Sequence, residues 1–554
     1  MPVPPSLAPQ FRRSATANRG TGIFFALCAL IWLTLAIGRP LNNPDEGRYA
    51  EIPREMLATG DWTTPRLNGL AYLEKPPLQY WLTALSLSAF GASEWSARLV
   101  ALLAAMANVW LVWLLGRRLQ GTNAGWLAAC MLGSSVLHFV LGQTLTLDMA
   151  FTALMTGMLT AFCLAQLPGG GRQWMPATWI LLGLAVLTKG IVALVIAGGV
   201  LGIYLLWQRD WAALRKLRPV SGLLLLSAVT LPWFLAVGRA NPDFWHFFFV
   251  NQHFERYLTD VADRVEPWWY FGAVLVLGCL PWLPAMARAL LLGWRAGEAA
   301  GRFNPQRLLW LWCVFVIVFF SLSQSKLAPY MLPVLPALAL LTALEAPRGR
   351  IPGLWFGAVA LLFVALALLA TCLRPAWVSS DAYVAGVALR ARWGIIAILL
   401  LAVATVAGLV WTKRQDRGML AVAVVAAGWF GSLTLLFATL GHEEQLRSGR
   451  ALAPVLTSVP AGTPIFSVQT YDQTLPFYLG RTMTLVDYRG ELAYGIDHAP
   501  QLAVDSLAAF EQRWRELPAA AAVMSTATYQ ELAGRGLPMR VLGQDRRRVA
   551  VSRP

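Results

Sequence analysis

Charge is what this sequence has least of. Only 13% of its 554 residues are Asp, Glu, Lys or Arg, against 57% hydrophobic residues and a mean hydropathy of +0.55. A soluble globular domain carries about 25% charge, so the shortage excludes one and points to a polytopic membrane protein. Cysteine is missing where a disulfide framework would need it. All six (Cys28, Cys130, Cys163, Cys279, Cys313, Cys372) lie in or beside apolar runs and none in the polar stretch 441–554, so they read as small core hydrophobes. No glycine-rich phosphate loop is visible, which argues against a nucleotide cradled by backbone N–H groups. The lack of an internal repeat weighs against transporters built from repeated halves. Acidic residues are the minority charge, 29 against 45 basic, for a net +16. In so apolar a chain that excess concerns membrane sidedness before nucleic acid.

What is present is a series of apolar runs suited to a hydrocarbon core about 30 Å thick. They lie at 20–38, 77–92, 96–116, 124–142, 147–166, 174–190, 191–208, 220–238, 269–292, 308–323, 329–346, 352–373, 393–412 and 419–440. Short Lys/Arg-rich loops stay cytoplasmic, so the basic clusters must share one side: Arg12/Arg13/Arg19, Arg117/Arg118, Arg209/Arg215/Lys216/Arg218, Arg288/Arg295/Arg302/Arg307, Arg348/Arg350 and Lys413/Arg414/Arg417. A span at 77–92 would put Arg117 and Arg118 opposite the N-terminal cluster and invert every later one. That run is short and opens on Pro76-Pro77, which predicts a helix lying at the outer interface. The first run shows no small-residue cleavage site and reads as a retained span.

The expected fold is therefore a polytopic α-helical membrane protein of about thirteen transmembrane helices, N-terminus cytoplasmic. An odd number of spans exports the C-terminus. Residues 441–554 show short β-like segments at 464–468, 483–486, 520–524, 540–542 and 549–552, alternating with helical patterns such as 502–517, which predicts a soluble periplasmic α/β domain. The predicted domains are 1–440, a transmembrane domain whose first outer loop 39–95 carries interfacial helices, and 441–554.

That first loop is densely charged, with Asp45, Glu46, Arg48, Tyr49, Glu51, Arg54, Glu55, Asp61 and Arg66, then Tyr72-Leu73-Glu74-Lys75-Pro76-Pro77. Solvated ion pairs contribute little, but here proline and aromatic residues hold the charges at the membrane surface. Arg98, Asp148, Lys189 and Lys326 stand at span ends on the same side, and the loop 241–267 adds Asn251, Gln252, His253, Glu255 and Arg256. A terminal lysine is commonly a snorkelling anchor. Gathered on one face, these groups instead form an outward-facing polar cavity roofed by the exported domain. Basic groups at the lipid interface bind phosphorylated head groups and a carboxylate can serve a nucleophile as base or orienter, so a donor activated on a membrane lipid is expected.

These residues resemble the GT-C superfamily of polyprenyl-phosphate-sugar-dependent glycosyltransferases. Asp45-Glu46 with Arg48 and Tyr49, Glu74-Lys75-Pro76-Pro77, Ser96-Ala97-Arg98-Leu99, Asp148, Leu187-Thr188-Lys189-Gly190 and Lys326-Leu327-Ala328-Pro329-Tyr330 match its pattern in order. Within it the chain looks like the aminoarabinose transferase (ArnT) type. That resemblance implies transfer of 4-amino-4-deoxy-L-arabinose from undecaprenyl phosphate to lipid A phosphates at the periplasmic face of a bacterial inner membrane, a lipopolysaccharide modification that gives polymyxin resistance. It implies catalytic roles for Asp45, Asp148 and Glu46, with Asp45 removing a proton, positioning the acceptor phosphate or holding the donor's amine. Lys75, Arg256, Tyr330, Arg48 and Lys326 would hold the donor's lipid phosphate, and Tyr49, Tyr72 and Lys189 the sugar or acceptor. Inversion at the anomeric carbon is expected. No cofactor is required, with zinc on Glu74 and His253 as the alternative. The expected partners are the lipid-linked donor, lipid A and the bilayer, without nucleic acid, the chain acting as a monomer. Two other readings are a GT-C enzyme using mannose or galactosamine and a lipid-linked-sugar flippase.

Overall fold

The structure, a computed structural model, describes residues 26–169, 171, 173–255, 265–295, 303–346, 386, 394–396, 399, 402–410, 418–440 and 448–554. After α1 (Ala26–Ala36), the first loop folds into α2 (Asp45–Thr59), the hairpin β1–β2 (Arg66–Leu67, Leu70–Ala71) and α3 (Leu78–Phe90). The membrane body follows: α4 (Glu94–Gln120), α5 (Thr122–Ser134), α6 (Val136–Gly142), α7 (Leu147–Gln166), α8 (Trp174–Lys189), α9 (Val192–Gln208), α10 (Trp211–Leu217) and α11 (Pro219–Ala240). Then come a π-helix α12 (His246–Glu255), α13 (Tyr270–Gly278), α14 (Leu283–Leu292), α15 (Pro305–Ser321), α16 (Val334–Glu345) and α17 (Gly418–Leu440).

Five helices among the described residues are long and apolar enough to cross a membrane, and α1, α8, α9 and α15 are shorter apolar helices. Two predicted spans are not continuous rods. The run 124–142 is α5 and α6, bent by 64°, and the break is closed by Val136 N–H donating to the Leu280 carbonyl at 3.2 Å. The run 269–292 breaks between α13 and α14 around Cys279–Trp282. Both sides of each break are apolar, so hydropathy alone does not reveal it. The run 352–373 and part of 393–412, with Arg348, lie outside the described residues, so the count of thirteen reaches beyond them.

The C-terminal residues build a six-stranded sheet ordered β5-β4-β3-β6-β8-β7. Its strands are β3 (Ile465–Val468), β4 (Thr484–Val486), β5 (Ala503–Val504), β6 (Ala521–Ser525), β7 (Arg540–Gln544) and β8 (Arg548–Ser552). The first four in that order are parallel and β8 and β7 antiparallel. All five segments expected as strands form. The helix expected over 502–517 begins at Leu507 instead, because the Ser506 hydroxyl accepts from Ala509 N–H at 3.2 Å as its N-cap, and 503–504 pair as β5.

Alternation along the strands splits the sheet into two faces. Phe466, Val468, Val486 and Met524 pack on Phe510 and Trp514. Ile465, Leu485 and Val523 face the other way and share one core with Leu41, Tyr49, Ile52, Met56, Tyr72, Tyr80 and Leu145. The tail is thus continuous with the first loop rather than a detached roof. Gly47 is the tightest point of that junction: a Cβ there would sit 2.5 Å from backbone atoms of Gln473 and Thr474. Gly47→Ala should therefore lower stability by about 1–3 kcal/mol through overpacking and speed limited proteolysis of the tail. An unchanged cleavage rate would show that the two segments slide apart freely.

Candidate active site

The site is built around α2, whose first turn carries Asp45 and Glu46 at the positive end of the helix dipole. The two carboxylates part at once. Glu46 is fully buried and meets Arg98 in a two-pronged ion pair, Nε to Oε1 and Nη2 to Oε2 each at 2.7 Å. It also accepts Leu145 N–H at 2.8 Å and Asn42 N–H at 2.9 Å, while Arg98 donates to the carbonyls of Arg39 at 2.6 Å and Pro40 at 2.7 Å. Both oxygens are occupied by the protein. The expected catalytic role of Glu46 is corrected to a structural one, because its carboxylate knots the end of α1, the start of α4 and the α6–α7 loop and presents nothing to a substrate.

Asp45 faces outward, its side chain 55% exposed and paired with Arg48. Arg48 is buried and also binds Glu491 from the tail and, at 3.0 Å, the Tyr72 hydroxyl. One guanidinium thus serves two carboxylates, which leaves a net negative charge there. Arg48 thus holds Asp45, Glu491 and Tyr72 through its two Nη atoms, while its Nε finds no partner among the described residues. Gln473 bonds the other Glu491 oxygen, and Gln473 N–H donates to Asn43 Oδ1 at 2.9 Å. Arg39, Gln473 and Glu491 are the members sequence reasoning missed; nothing local marks a tail glutamate as a partner of the first loop.

The second half of the site lies at the N-terminal end of α7 and the C-terminal end of α8. Asp148 binds Lys189, and the ammonium sits 4.5 Å from the Tyr330 ring centroid and 5.3 Å from that of Phe151. Tyr330 in turn stacks on Phe320 at 4.8 Å. Three residues taken from distant motifs therefore converge. Tyr49 joins the halves: buried and stacked on Tyr80 at 5.6 Å, its phenol is pushed well above the ordinary range by burial, by Tyr80 and by the fields of both Asp45 and Asp148, against the pull of Arg48. Both aspartates therefore act on one point. Tyr72 is raised likewise by burial, opposed by Arg48, with Glu74 and Glu491 adding to the rise; the Glu74–Lys75 turn belongs to the same cluster.

Lys326 is 6% exposed and makes no ion pair among the described residues. A buried ammonium without an anion is costly, so a ligand carrying negative charge fits beside it. Arg256 lies outside the described residues, as does the His253 side chain. Among the described residues no three His, Cys, Asp or Glu side chains converge on one point; the His253 side chain of the expected Glu74–His253 pair lies outside them.

With that geometry in place, the comparisons are direct. A family model described as "Aminoarabinose transferase C-terminal domain" matches residues 452–553, and one described as "Dolichyl-phosphate-mannose-protein mannosyltransferase" matches 74–235. The undecaprenyl phosphate-alpha-4-amino-4-deoxy-L-arabinose arabinosyl transferase 1 of Sodalis glossinidius is 32% identical over 530 residues, covering 87% of this chain and 88% of its own. The corresponding transferase of Pseudomonas aeruginosa strain UCBPP-PA14 is 39% identical over 315 residues, 54% of this chain and 56% of its own. The crystal structure of ArnT from Cupriavidus metallidurans bound to undecaprenyl phosphate superimposes with a TM-score of 0.88 at 34% identity, over 96% of this chain and 98% of that one. Its apo state gives 0.85 at 33% identity, over 97% and 98%.

Proposed function

The chain belongs to the ArnT family of GT-C aminoarabinose transferases, and on that premise we propose that it moves 4-amino-4-deoxy-L-arabinose from undecaprenyl phosphate to lipid A phosphates. It is a multi-pass membrane glycosyltransferase; we place it in a bacterial inner membrane with its site facing the periplasm. The observation that carries this reading is the convergence of Asp148, Lys189 and Tyr330, with Lys326, buried and without an ion pair among the described residues, in the same short segment as Tyr330. Arabinosyl transferases that align over most of their length favour transfer over flipping, and the match at 452–553 favours aminoarabinose over mannose.

The acceptor is a phosphate monoester with a second pKa of about 6, so near neutral pH it is largely a nucleophile already. Its oxygen forms a bond to the anomeric carbon while the bond from that carbon to the undecaprenyl phosphate oxygen breaks; in-line displacement inverts the centre. Asp45, half-open to water, takes the acceptor's residual proton, with Arg48 holding its other face. The leaving phosphate gains charge, and Lys75, Lys326 and Arg256 neutralise it while the Tyr330 hydroxyl donates a hydrogen bond. Lys189 is kept in place by Asp148. Tyr49 and Tyr72 border the sugar. The reaction asks for no cofactor and for one copy of the chain.

Mass spectrometry of lipid A from cells with and without the protein tests the reading. A mass increase of one aminopentose on lipid A phosphate is expected, and an unchanged lipid A in cells making the folded protein would sink it. Two finer outcomes follow. Lys75→Ala should weaken donor use far more than Lys75→Arg, since both cations neutralise phosphate; equal donor affinity in wild type and Lys75→Ala removes Lys75 from the site. Cysteines placed at Arg117 and Arg288 should resist an impermeant thiol reagent in intact spheroplasts while one in the tail reacts. A tail cysteine that reacts only after lysis rejects the thirteen-span topology.

A further inference from the structure

A second cavity, of about 210 Å³, opens where the β1–β2 hairpin meets the N-terminal ends of β3 and β4. Asn68, Arg481, Thr482, Thr484, Gln501 and Arg513 supply its polar lining, Leu502 part of an apolar wall, and no Asp or Glu lines it. The hairpin is locked in place: Asn68 exchanges hydrogen bonds with the Met483 backbone at 2.6 and 2.8 Å. The adjacent Glu55 carboxylate accepts the N–H groups of Asn68 and Gly69 and is thereby occupied by the hairpin backbone. The cavity is therefore preformed.

Its arginines are left with binding capacity. Among the described residues Arg481 Nη2 is buried with no hydrogen-bond partner, and its Nη1 reaches the Thr463 carbonyl alone, at 3.4 Å. Arg513 is exposed and lies 5.9 Å over the Phe466 ring. Neither meets a carboxylate among the described residues. A buried guanidinium N–H without an acceptor is an unmade charge-assisted bond, and the planar fork suits a phosphate. The neutral hydroxyl and amide groups around it suit sugar hydroxyls, and Leu502 suits a sugar's C–H face.

We propose that this cavity is a second ligand site, which binds a phosphate-bearing saccharide: Arg481 and Arg513 take the phosphate, and Thr482, Thr484 and Gln501 the sugar hydroxyls. None of its residues belongs to the Asp45–Asp148 site, so it stands or falls separately from the transfer reaction.

Calorimetric titration of the purified full-length protein with glucose 6-phosphate, glucose and inorganic phosphate tests it. Glucose 6-phosphate should bind at least about tenfold tighter than either of the others. Arg481→Gln should weaken it by about tenfold or more, and Arg513→Gln should weaken it too, its side chain being exposed and the fold indifferent to it. Asp148→Asn, in the other site, should leave it unchanged. Equal affinity in wild type and both arginine variants overturns the proposal, as does equal binding of inorganic phosphate. Repeating the titration in nanodiscs identifies the source: competition by lipid A in the disc assigns the phosphate to a membrane lipid, and its absence to a soluble sugar phosphate.

Discussion

Glu46→Ala should cost the protein about 3–5 kcal/mol, the range for removing one partner of a buried ion pair. The substitution strands the fully buried Arg98 guanidinium and leaves Leu145 N–H and Asn42 N–H without their acceptor. Tryptophan fluorescence of the purified protein should melt several degrees lower. Replacing Glu46 and Arg98 together with methionine should recover part of the loss, because the penalty lies in the orphaned charge more than in the missing pair. An unchanged melting temperature in Glu46→Ala would mean that the knot between the first loop, α4 and the α6–α7 loop carries no stability. The same pair has a pH signature. Burial opposes ionisation of Glu46, but the charge and hydrogen bonds of Arg98, with Arg39 and Leu145 N–H, outweigh it and hold the carboxyl at about 2. A depressed folded pKa gives stability that is complete above the ordinary value of 4.5 and lost as pH falls from there toward about 2. The melting temperature of wild type should drop across that window, and that of Glu46→Gln should drop less.

Much of the site was legible because charge stranded at the ends of apolar spans is expensive and therefore conspicuous. Asp148 and Lys189 could each be picked out in this way, Tyr330 through the resemblance alone, and the three meet. Their geometry could not be read, since convergence depends on how α7, α8 and the segment after α15 cross. The pairing of Glu46 with Arg98, 52 residues apart, was equally hidden: a charge next to Asp45 in the chain and one far along it prove to be its scaffold. Glu491, 443 residues from Arg48, gives no local signal at all, because a glutamate in a polar domain is ordinary until the domain docks. Strand periodicity identified the tail's sheet well, whereas β5, two residues long, is below what alternation can register. The breaks at α5–α6 and α13–α14 escape hydropathy because Ser134-Ser135 and Pro281 are too few to interrupt an apolar run.

The remaining large effect falls on chemistry rather than on the fold. Asp45→Asn keeps the size and hydrogen-bonding capacity of the side chain and removes its charge. Neutralising a group that takes the acceptor's proton should reduce turnover by about 10²-fold or more. Stability should barely move, because Asp45 is half-exposed and Arg48 keeps Glu491 and Tyr72 as partners; loss of such a surface pair is worth about 1 kcal/mol or less. Asp148→Asn should differ in kind. It frees Lys189, which is held between Asp148 and the rings of Tyr330 and Phe151, so weaker donor binding is expected together with slower turnover. Kinetics with purified protein, lipid-linked aminoarabinose and lipid A separate the two: a fall in kcat at unchanged donor KM for Asp45→Asn, a rise in donor KM for Asp148→Asn. Near-normal turnover in folded Asp45→Asn would make Asp45 a surface partner of Arg48 and move the proton-accepting role to Asp148, the other carboxylate whose field reaches Tyr49.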